Sequence, residues 1–397
     1  MSNRVGWLSL LLMPLVLWTG CRPQVQAGRP LEPIPAGPAR RRLKERIDAI
    51  VRPYVSSPNN VGVVVGVIKD GGTLTAGYGR MRFKGATAPD GSTIFEIGSI
   101  TKVFTATLLA EMAAAGMVSL DDPVEKLLPA FASVPKYQGR RINLLHLAAH
   151  TSGLPRLPDN LAAAPQEMRN PYASYTAERM YAFLAKHELR RSPGLKYEYS
   201  NLGGGLLGHA LSLKCGTTYE KAVTSRICRK LGMQDTLVTL SEQQKKRLAQ
   251  PHMFLGMPAG YWDFDALAGA GALRSTADDI LKFLAANLGV PKTGLSDVMK
   301  ACHVIRAKTD VEGLSVCLAW HVVEIGNGKS QALWHNGGTG GFRSWMGFVK
   351  ESGTAAVVLS NSANDVDLIG LGILEMLNDT GAGGEDSRAA QGSRGGG

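Results

Sequence analysis

The chain has 397 residues, of which 44% are hydrophobic and 19% charged, and its formal net charge at pH 7 is +11. This is the composition of an ordinary soluble protein, long enough for one large domain or two modest ones. The sequence has no zinc-finger spacing, no aromatic-plus-basic RNA signature and no basic helix with heptads, so we predict no nucleic-acid partner. Part of the positive charge lies in "ARRRLKER", which is typical of a solvated helix face; a basic arm against anionic lipid or wall polymer is the alternative.

Residues 1 to 21 have the features of an export signal. Arg4 is followed by "WLSLLLMPLVLW", a run shorter than the roughly 20 residues that a membrane-spanning helix needs. The run ends in "LWTGC", which resembles a bacterial lipoprotein box and implies lipidation of Cys21 and membrane attachment. Ordinary cleavage after Ala27 is the alternative. Both readings predict an exported protein of the periplasm or cell envelope.

The segment after the signal changes from irregular to regular structure. Residues 22 to 38 are rich in proline and glycine and are predicted to form a linker. We predict a helix from Arg40 to Tyr54, followed by the strands "VGVVVGVIKD" and "TLTAGYGR", which form a hairpin joined at Gly71 and Gly72.

The rest of the chain alternates between a helical block and a second group of strands. Residues 99 to about 285 are mostly helical in pattern, with long loops. Strands are predicted in "LSVCLAWHVVEI", "ALWHNGG", "RSWMGFVK" and "TAAVVLSN", and a closing helix in "LIGLGILEMLN". Residues 379 to 397 have almost nothing to bury and are predicted to be disordered.

This order predicts the α+β class: one antiparallel sheet made by the first and last parts, flanked by the N- and C-terminal helices, with an all-helical subdomain inserted. Residues 39 to 378 then form a single domain. A cleft between the sheet half and the helical half is a natural place for a site.

Two stretches match Ser-x-x-Lys, and their contexts differ. Ser133 and Lys136 enclose a proline beside polar residues, which indicates a surface turn. Ser99 instead follows "FEIG" and opens the apolar stretch "ITKVFTATLLAEMAAAG". A helix start offers free N–H groups to a serine that gains negative charge. Lys102, three residues on, lies on the same helix face, where a desolvated amine can accept the serine proton. The structural alternative is a capping serine and a solvated lysine.

Two further elements follow in the order expected for Ser-x-x-Lys enzymes. Tyr199 and Asn201 lie in "KYEYSNLGGG", and His335 to Gly337 lie in "ALWHNGG". With Phe95 to Lys102, these motifs closely resemble the class C β-lactamase-like branch of the serine β-lactamase and penicillin-binding protein superfamily. The resemblance covers roughly residues 45 to 378 and extends to "HTSGLP", "LGM" and "STADDILKF".

The resemblance implies a serine acyl-hydrolase. Ser99 is expected to attack a carbonyl and form an acyl-enzyme, while Lys102 and Tyr199 share the proton transfer, with the identity of the base left open. Asn201 is expected to hold Lys102 and the substrate amide. The oxyanion hole is expected from the backbone N–H groups of Ser99 and Gly338, just past Gly337 of the third motif.

One departure bears on the substrate. Class C β-lactamases usually carry lysine where this chain has His335, a residue found in several D-peptidases of the superfamily, and an ordinary histidine is largely neutral at pH 7. We therefore expect hydrolysis of a D-amino acid peptide of peptidoglycan, or of a β-lactam. The alternatives are an esterase acting on ester substrates, a true class C β-lactamase, and a penicillin-binding protein without turnover. Arg343 is a candidate for meeting a substrate carboxylate; a salt-bridged surface arginine is the alternative.

The remaining chemically active residues predict no further site. Cys215 and Cys228 flank a helix and lie too far apart to bridge. Cys302 and Cys317 fit either one disulfide or free buried thiols. The remaining histidines lack metal-ligand spacing, and "GGGLLG" has no preceding strand, so we predict no metal and no cofactor.

Overall fold

The computed structural model describes residues 31–161, 167, 169–326, 328 and 330–379. The predicted signal segment, with Cys21 and Ala27, lies outside the described residues, as does the predicted tail after Asp379. Within the described ranges, none of the helices combines the length and the apolar character needed to cross a bilayer.

A nine-stranded sheet forms the centre of the fold, in the order β1-β3-β2-β11-β10-β9-β8-β7-β6. Neighbouring strands are antiparallel except for β1 and β3. A separate two-stranded sheet pairs β4 with β5. The strands are β1 (Glu32–Pro33), β2 (Gly62–Lys69), β3 (Gly72–Gly79), β4 (Ile94–Glu96), β5 (Arg274–Thr276), β6 (Ala307–Lys308), β7 (Ser315–Val316), β8 (His321–Ile325), β9 (Ser330–Gly338), β10 (Arg343–Val349) and β11 (Thr354–Ser360).

Helices cover the central sheet and form the inserted block. The described residues contain α1 (Pro38–Ser56), α2 (Thr101–Ala114), α3 (Leu144–Ala148), α4 (Ala177–Lys186), α5 (Asn201–Cys215), α6 (Tyr219–Val223), α7 (Glu242–Lys245), α8 (Ala268–Gly271), α9 (Ala277–Leu288), α10 (Ser296–Cys302) and α11 (Asp367–Asn378). α1 buries Leu43, Ile47 and Val51, which recur every four residues, and its arginines remain at the surface.

The two faces of the sheet serve two hydrophobic cores. Along β2, Val63 and Val65 pack in the core formed with α1 and α11. Val64 and Ile68 point to the opposite face and join the larger core beneath the helical block. The chain therefore folds as layers of helices, sheet and helices, and the predicted α+β architecture is confirmed.

The structure differs from the sequence predictions in three local features. Glu32–Pro33 and the start of α1 at Pro38 lie within the predicted linker, because β1 pairs with the edge of β3. The hairpin turns at Asp70 and Gly71, both with positive φ, rather than at Gly71 and Gly72. The helical block is not purely helical, since β4 and β5 pair across 178 residues of sequence between Glu96 and Arg274.

The four cysteines of the described chain are free thiols. Cys302 and Cys317 are both fully buried, and the Cys317 thiol donates to the His303 carbonyl at 3.2 Å. Of the two interpretations given by the sequence, the structure thus has the buried thiols and not the bridge.

Candidate active site

Ser99 lies at the junction between the small sheet and α2. It is the middle residue of a single 3-10 turn, Gly98–Ile100, that leads directly into α2. The helix is buried on nearly all sides, so its start is fixed by the core and not by its own capping. Ser99 is thereby held at the N-terminal end of a helix, where backbone N–H groups are free to meet negative charge.

Lys102 is buried beside that serine. Its Nζ lies 2.9 Å from Ser99 Oγ and 2.7 Å from the Ala270 carbonyl oxygen, and the residue is 2% exposed. Burial, and after it the positive charge of Arg156, holds the pKa of the Lys102 ammonium well below its ordinary value. The pair is therefore a hydroxyl next to an amine that readily exists without its proton.

The glycines after the second motif make room for this lysine. A Cβ on Gly204 would stand 3.2 Å from three carbons of the Lys102 side chain. Ser200 caps α5 by accepting the Gly203 N–H at 2.8 Å. The "GGGLLG" run is thus a packing surface of α5.

Tyr199 stands between the lysine and the cleft. Lys102 Nζ is 4.9 Å from the centroid of its ring. Burial raises the pKa of the Tyr199 phenol above its ordinary value, although a hydrogen bond to Ser99 acts in the opposite direction. The His150 ring packs 4.5 Å from that of Tyr199, and its Nδ1 accepts the Ser200 N–H at 3.2 Å. His150 is therefore a structural residue that supports the tyrosine.

Strand β9 brings its glycines against the nucleophile turn. A Cβ on Gly337 would lie 2.1 Å from the Ile97 carbonyl oxygen and 2.9 Å from Ser99 N. A Cβ on Gly98 would lie 2.6 Å from Gly338 N, and Gly98 has φ +48. Only residues without a side chain allow this approach of two backbones. The main chains of Ser99 and Gly338 consequently face one site.

His335 is fully buried next to Tyr199, with 6.3 Å between ring centroids, and its ring stacks on His321 at 5.1 Å. Burial, and after it the ionisable neighbours His321 and Lys102, holds the pKa of His335 well below the ordinary value. Its Nδ1 lies 2.6 Å from the Asn336 carbonyl oxygen, which can only accept, so Nδ1 carries the proton. His335 is an uncharged residue of the site.

The site opens into a cleft of about 600 Å³. Several lining residues carry no signal of their own in the sequence, because loops distant in sequence bring them to the cleft. Tyr172 and Phe264 stack at 4.5 Å, with Trp262 beside them. Other such residues are Arg156, Leu157, Thr339, Asp365 and Asp367.

The structure brings the predicted site residues together and separates the second Ser-x-x-Lys match from them. Ser99, Tyr199, Asn201, Gly337 and Gly338 line the cleft, with Lys102 and His335 directly behind. Ser133 and Lys136 are exposed elsewhere, and Lys136 pairs with Glu125 at 3.5 Å.

The structure also shows the surroundings of Asn201 and Arg343, two residues whose contacts the sequence analysis considered. Asn201 Nδ2 donates to the Tyr172 hydroxyl at 3.0 Å and forms no hydrogen bond with Lys102, whose Nζ contacts Ser99 Oγ and the Ala270 carbonyl. Arg343 lines the cleft and forms no ion pair among the described residues, so it is not the salt-bridged surface arginine given as the alternative; its Nη1 donates to the carbonyls of Thr339 and Phe342. No group of three or more His, Cys, Asp or Glu in the described ranges could hold a metal ion.

Both the sequence and the fold of this chain are similar to those of known proteins. The Beta-lactamase family model matches residues 47–373. The chain belongs to the beta-lactamase family. Among curated members, it is 30% identical over 309 residues to the D-alanyl-D-alanine-carboxypeptidase/endopeptidase AmpH of Escherichia coli, covering 75% of this chain and 78% of that protein. It is 26% identical over 350 residues to a Beta-lactamase of Pseudomonas fluorescens, covering 80% and 93%.

Solved structures of beta-lactamase family members show the same fold. A class C beta-lactamase superposes with a TM-score of 0.74 at 22% identity, covering 88% of this chain and 99% of that one. A Beta-lactamase/D-alanine Carboxypeptidase from Yersinia pestis superposes with a TM-score of 0.72 at 25% identity, covering 85% and 99%. The predicted class C β-lactamase-like branch is confirmed, and the protein is a serine hydrolase.

Proposed function

We propose that the protein forms an acyl-enzyme on Ser99 and hydrolyses D-amino acid peptides of the cell wall, with β-lactam amides as substrates of the same chemistry. The observation that carries this proposal is the buried Lys102 amine, whose pKa is lowered and whose Nζ lies 2.9 Å from Ser99 Oγ at an open cleft. The named activities of the Escherichia coli carboxypeptidase/endopeptidase and the Pseudomonas fluorescens β-lactamase support the substrate class.

Lys102 is the first proton acceptor in this proposal. Its depressed pKa favours the free amine, whereas the raised pKa of Tyr199 keeps the phenol protonated. The amine takes the Ser99 hydroxyl proton as Oγ bonds to the scissile carbonyl carbon. The backbone N–H groups of Ser99 and Gly338 then receive the oxyanion, an interaction in which each donor typically contributes about 10²- to 10³-fold in rate.

Tyr199 completes the proton transfer. When the carbonyl–nitrogen bond breaks, the phenol gives its proton to the departing amine and recovers one from the Lys102 ammonium. The net result is the transfer of one proton from Ser99 to the leaving group, by way of Lys102 and Tyr199. The acyl-enzyme then has a neutral lysine and a neutral tyrosine again. Water attacks the ester by the same route in reverse: its proton passes through Tyr199 and Lys102 to Ser99 Oγ as the acid is released.

His335 has a positioning role in this scheme. Since its ring is buried and uncharged, it does not bind a substrate carboxylate as an ion. It instead packs beside Tyr199 from β9, the strand that also carries Gly337 and Gly338.

Three probes test the function. A peptide ending in D-alanyl-D-alanine should release D-alanine, a fluorescent penicillin should label the protein, and a chromogenic cephalosporin should report β-lactam turnover. Ser99→Ala should abolish all three signals, and Ser133→Ala, in the exposed second motif, should leave them unchanged. Cleavage of p-nitrophenyl esters alone would show an esterase instead. A stable penicillin adduct without turnover of any substrate would show a binding protein.

We further propose that the protein is exported and is held at the cell envelope by lipid on Cys21. The support is the sequence alone: Arg4, a short apolar run and "TGC". Radiolabelled palmitate should be incorporated into the protein in cells, and Cys21→Ser should remove the label. A mature N-terminus at Gly28 would identify cleavage after Ala27 instead.

A further inference from the structure

We propose that Arg156 binds the carboxylate of the leaving D-amino acid and is the main determinant of specificity for substrates with a free C-terminal carboxylate. This inference rests on the proposed function, because it assigns one subsite of the same cleft.

The cleft offers few candidate cations. Its described lining includes Arg156, Arg343 and His321. His321 is buried and hydrogen-bonded to the Tyr197 hydroxyl at 3.0 Å, with a pKa lowered by burial to about 4, so it is neutral at pH 7. His335, behind the lining, is neutral for the same reason. The histidines therefore supply no cation.

Arg343 is already matched by its surroundings. Its Nη1 donates to two backbone carbonyls at 3.0 and 2.9 Å. Burial lowers the pKa of the Arg343 guanidinium, and the negative charges of Asp365 and Asp367 act in the opposite direction. Both carboxylates also line the cleft. A substrate carboxylate approaching Arg343 would meet these two acids.

Among the described residues neither arginine forms an ion pair, but the Arg343 guanidinium donates to backbone carbonyls, whereas the Arg156 guanidinium has no hydrogen-bond acceptor of its own. In the part of the chain that the structure describes, no carboxylate forms an ion pair with its guanidinium. Its backbone carbonyl accepts the N–H groups of Asn201 and Leu202 at 2.9 and 3.3 Å. The loop that carries Arg156 is thereby tied to the start of α5, next to Tyr199.

Arg156 lies on the side of the cleft where the leaving group of the substrate would bind. Its Cζ lies 5.0 Å from the centroid of the Tyr199 ring. In the proposed reaction, Tyr199 protonates the departing nitrogen. In a D-amino acid leaving group, the carboxyl carbon is two bonds from that nitrogen, a separation of about 2.5 Å from standard backbone dimensions. A guanidinium beside the phenol is therefore placed to form a bidentate pair with this carboxylate.

The test compares two peptides that differ only in this charge: one ends in D-alanyl-D-alanine carboxylate, the other in the C-terminal carboxamide. Release of D-alanine or D-alaninamide is measured for the wild type, Arg156→Gln, Arg156→Lys and Arg343→Gln. Binding of both peptides is measured by calorimetry in the Ser99→Ala background. Arg190→Gln, at an exposed arginine outside the cleft lining, is the matched control for loss of one positive charge.

We expect Arg156→Gln to weaken binding of the carboxylate peptide by roughly 10- to 100-fold, seen mainly as a higher KM and a higher Kd. Binding of the carboxamide peptide should be unchanged. Arg156→Lys should restore part of the preference, because it keeps the charge but loses the planar fork. An unchanged carboxylate preference in Arg156→Gln, or its loss in Arg343→Gln instead, would overturn the assignment. Absence of turnover in the wild type contradicts the proposed function, whereas the calorimetric preference still decides the role of Arg156.

Discussion

Gly98→Ala tests the site geometry most directly, because it adds one methyl group at the contact between the nucleophile turn and β9. The new Cβ would lie 2.6 Å from the Gly338 nitrogen and 2.8 Å from its carbonyl oxygen, both within van der Waals contact. The backbones must therefore separate by up to about 1 Å, a displacement that can reduce the rate about 10²-fold. Loss of the Gly338 N–H as an oxyanion donor gives a similar figure, about 10²- to 10³-fold in kcat.

The matched control is Gly116→Ala, at the other end of the same helix. Gly116 has φ +69, comparable to the φ +48 of Gly98, but nothing lies within 4 Å of its added Cβ. Both variants bear the penalty of a left-handed alanine, roughly 1–2 kcal/mol. Stopped-flow acylation with a chromogenic cephalosporin and thermal unfolding separate the two effects. Both proteins should melt a few degrees lower, and only Gly98→Ala should lose acylation. Equal acylation rates in the two variants would refute the assignment of the Gly338 N–H to the oxyanion hole.

Three further predictions follow from the buried titratable groups. Since Lys102 must be neutral to accept the proton, kcat/KM should fall as the pH drops through its depressed pKa. Lys102→Met should lower kcat about 10²- to 10⁴-fold. A Lys102→Met variant with wild-type acylation rates would contradict this role. Burial lowers the pKa of His321 to about 4, so the ring resists protonation in the folded protein. The free energy of unfolding should therefore be unaffected by this ring above pH 6.5 and should fall by about 3 kcal/mol as the pH drops from 6.5 to 4. His321→Gln should flatten the unfolding free energy measured over that range, and an unchanged slope would show that the ring is hydrated. Burial raises the pKa of Cys302 and of Cys317 to about 12, so both thiols should resist a thiol reagent at pH 8 until denaturant is added; labelling of the native protein would show that they are accessible.

Local sequence was sufficient to predict the secondary structure around the site. Ser99 and Lys102 are three residues apart in a helix, and this spacing alone puts the hydroxyl and the amine on one face. The stretch "VGVVVGVIK" is apolar at nearly every position, which indicates a strand buried on both faces, and its two-residue repeat puts Val63 and Val65 on one face and Val64 and Ile68 on the other. The order of the three motifs allowed the family to be identified.

Tertiary structure decided the properties that depend on burial and on contacts between distant segments. The neutral state of His335 and the depressed pKa of Lys102 arise from desolvation, a quantity that no residue type or spacing carries. Asn201 was expected to bind Lys102, but it donates to Tyr172, and the lysine contacts the carbonyl of Ala270, which is 168 residues away in the sequence. Arg156 reaches Tyr199 only because its loop folds onto the start of α5. Sequence thus determined which groups are available for chemistry, and the packing of distant segments determined their charge and their partners.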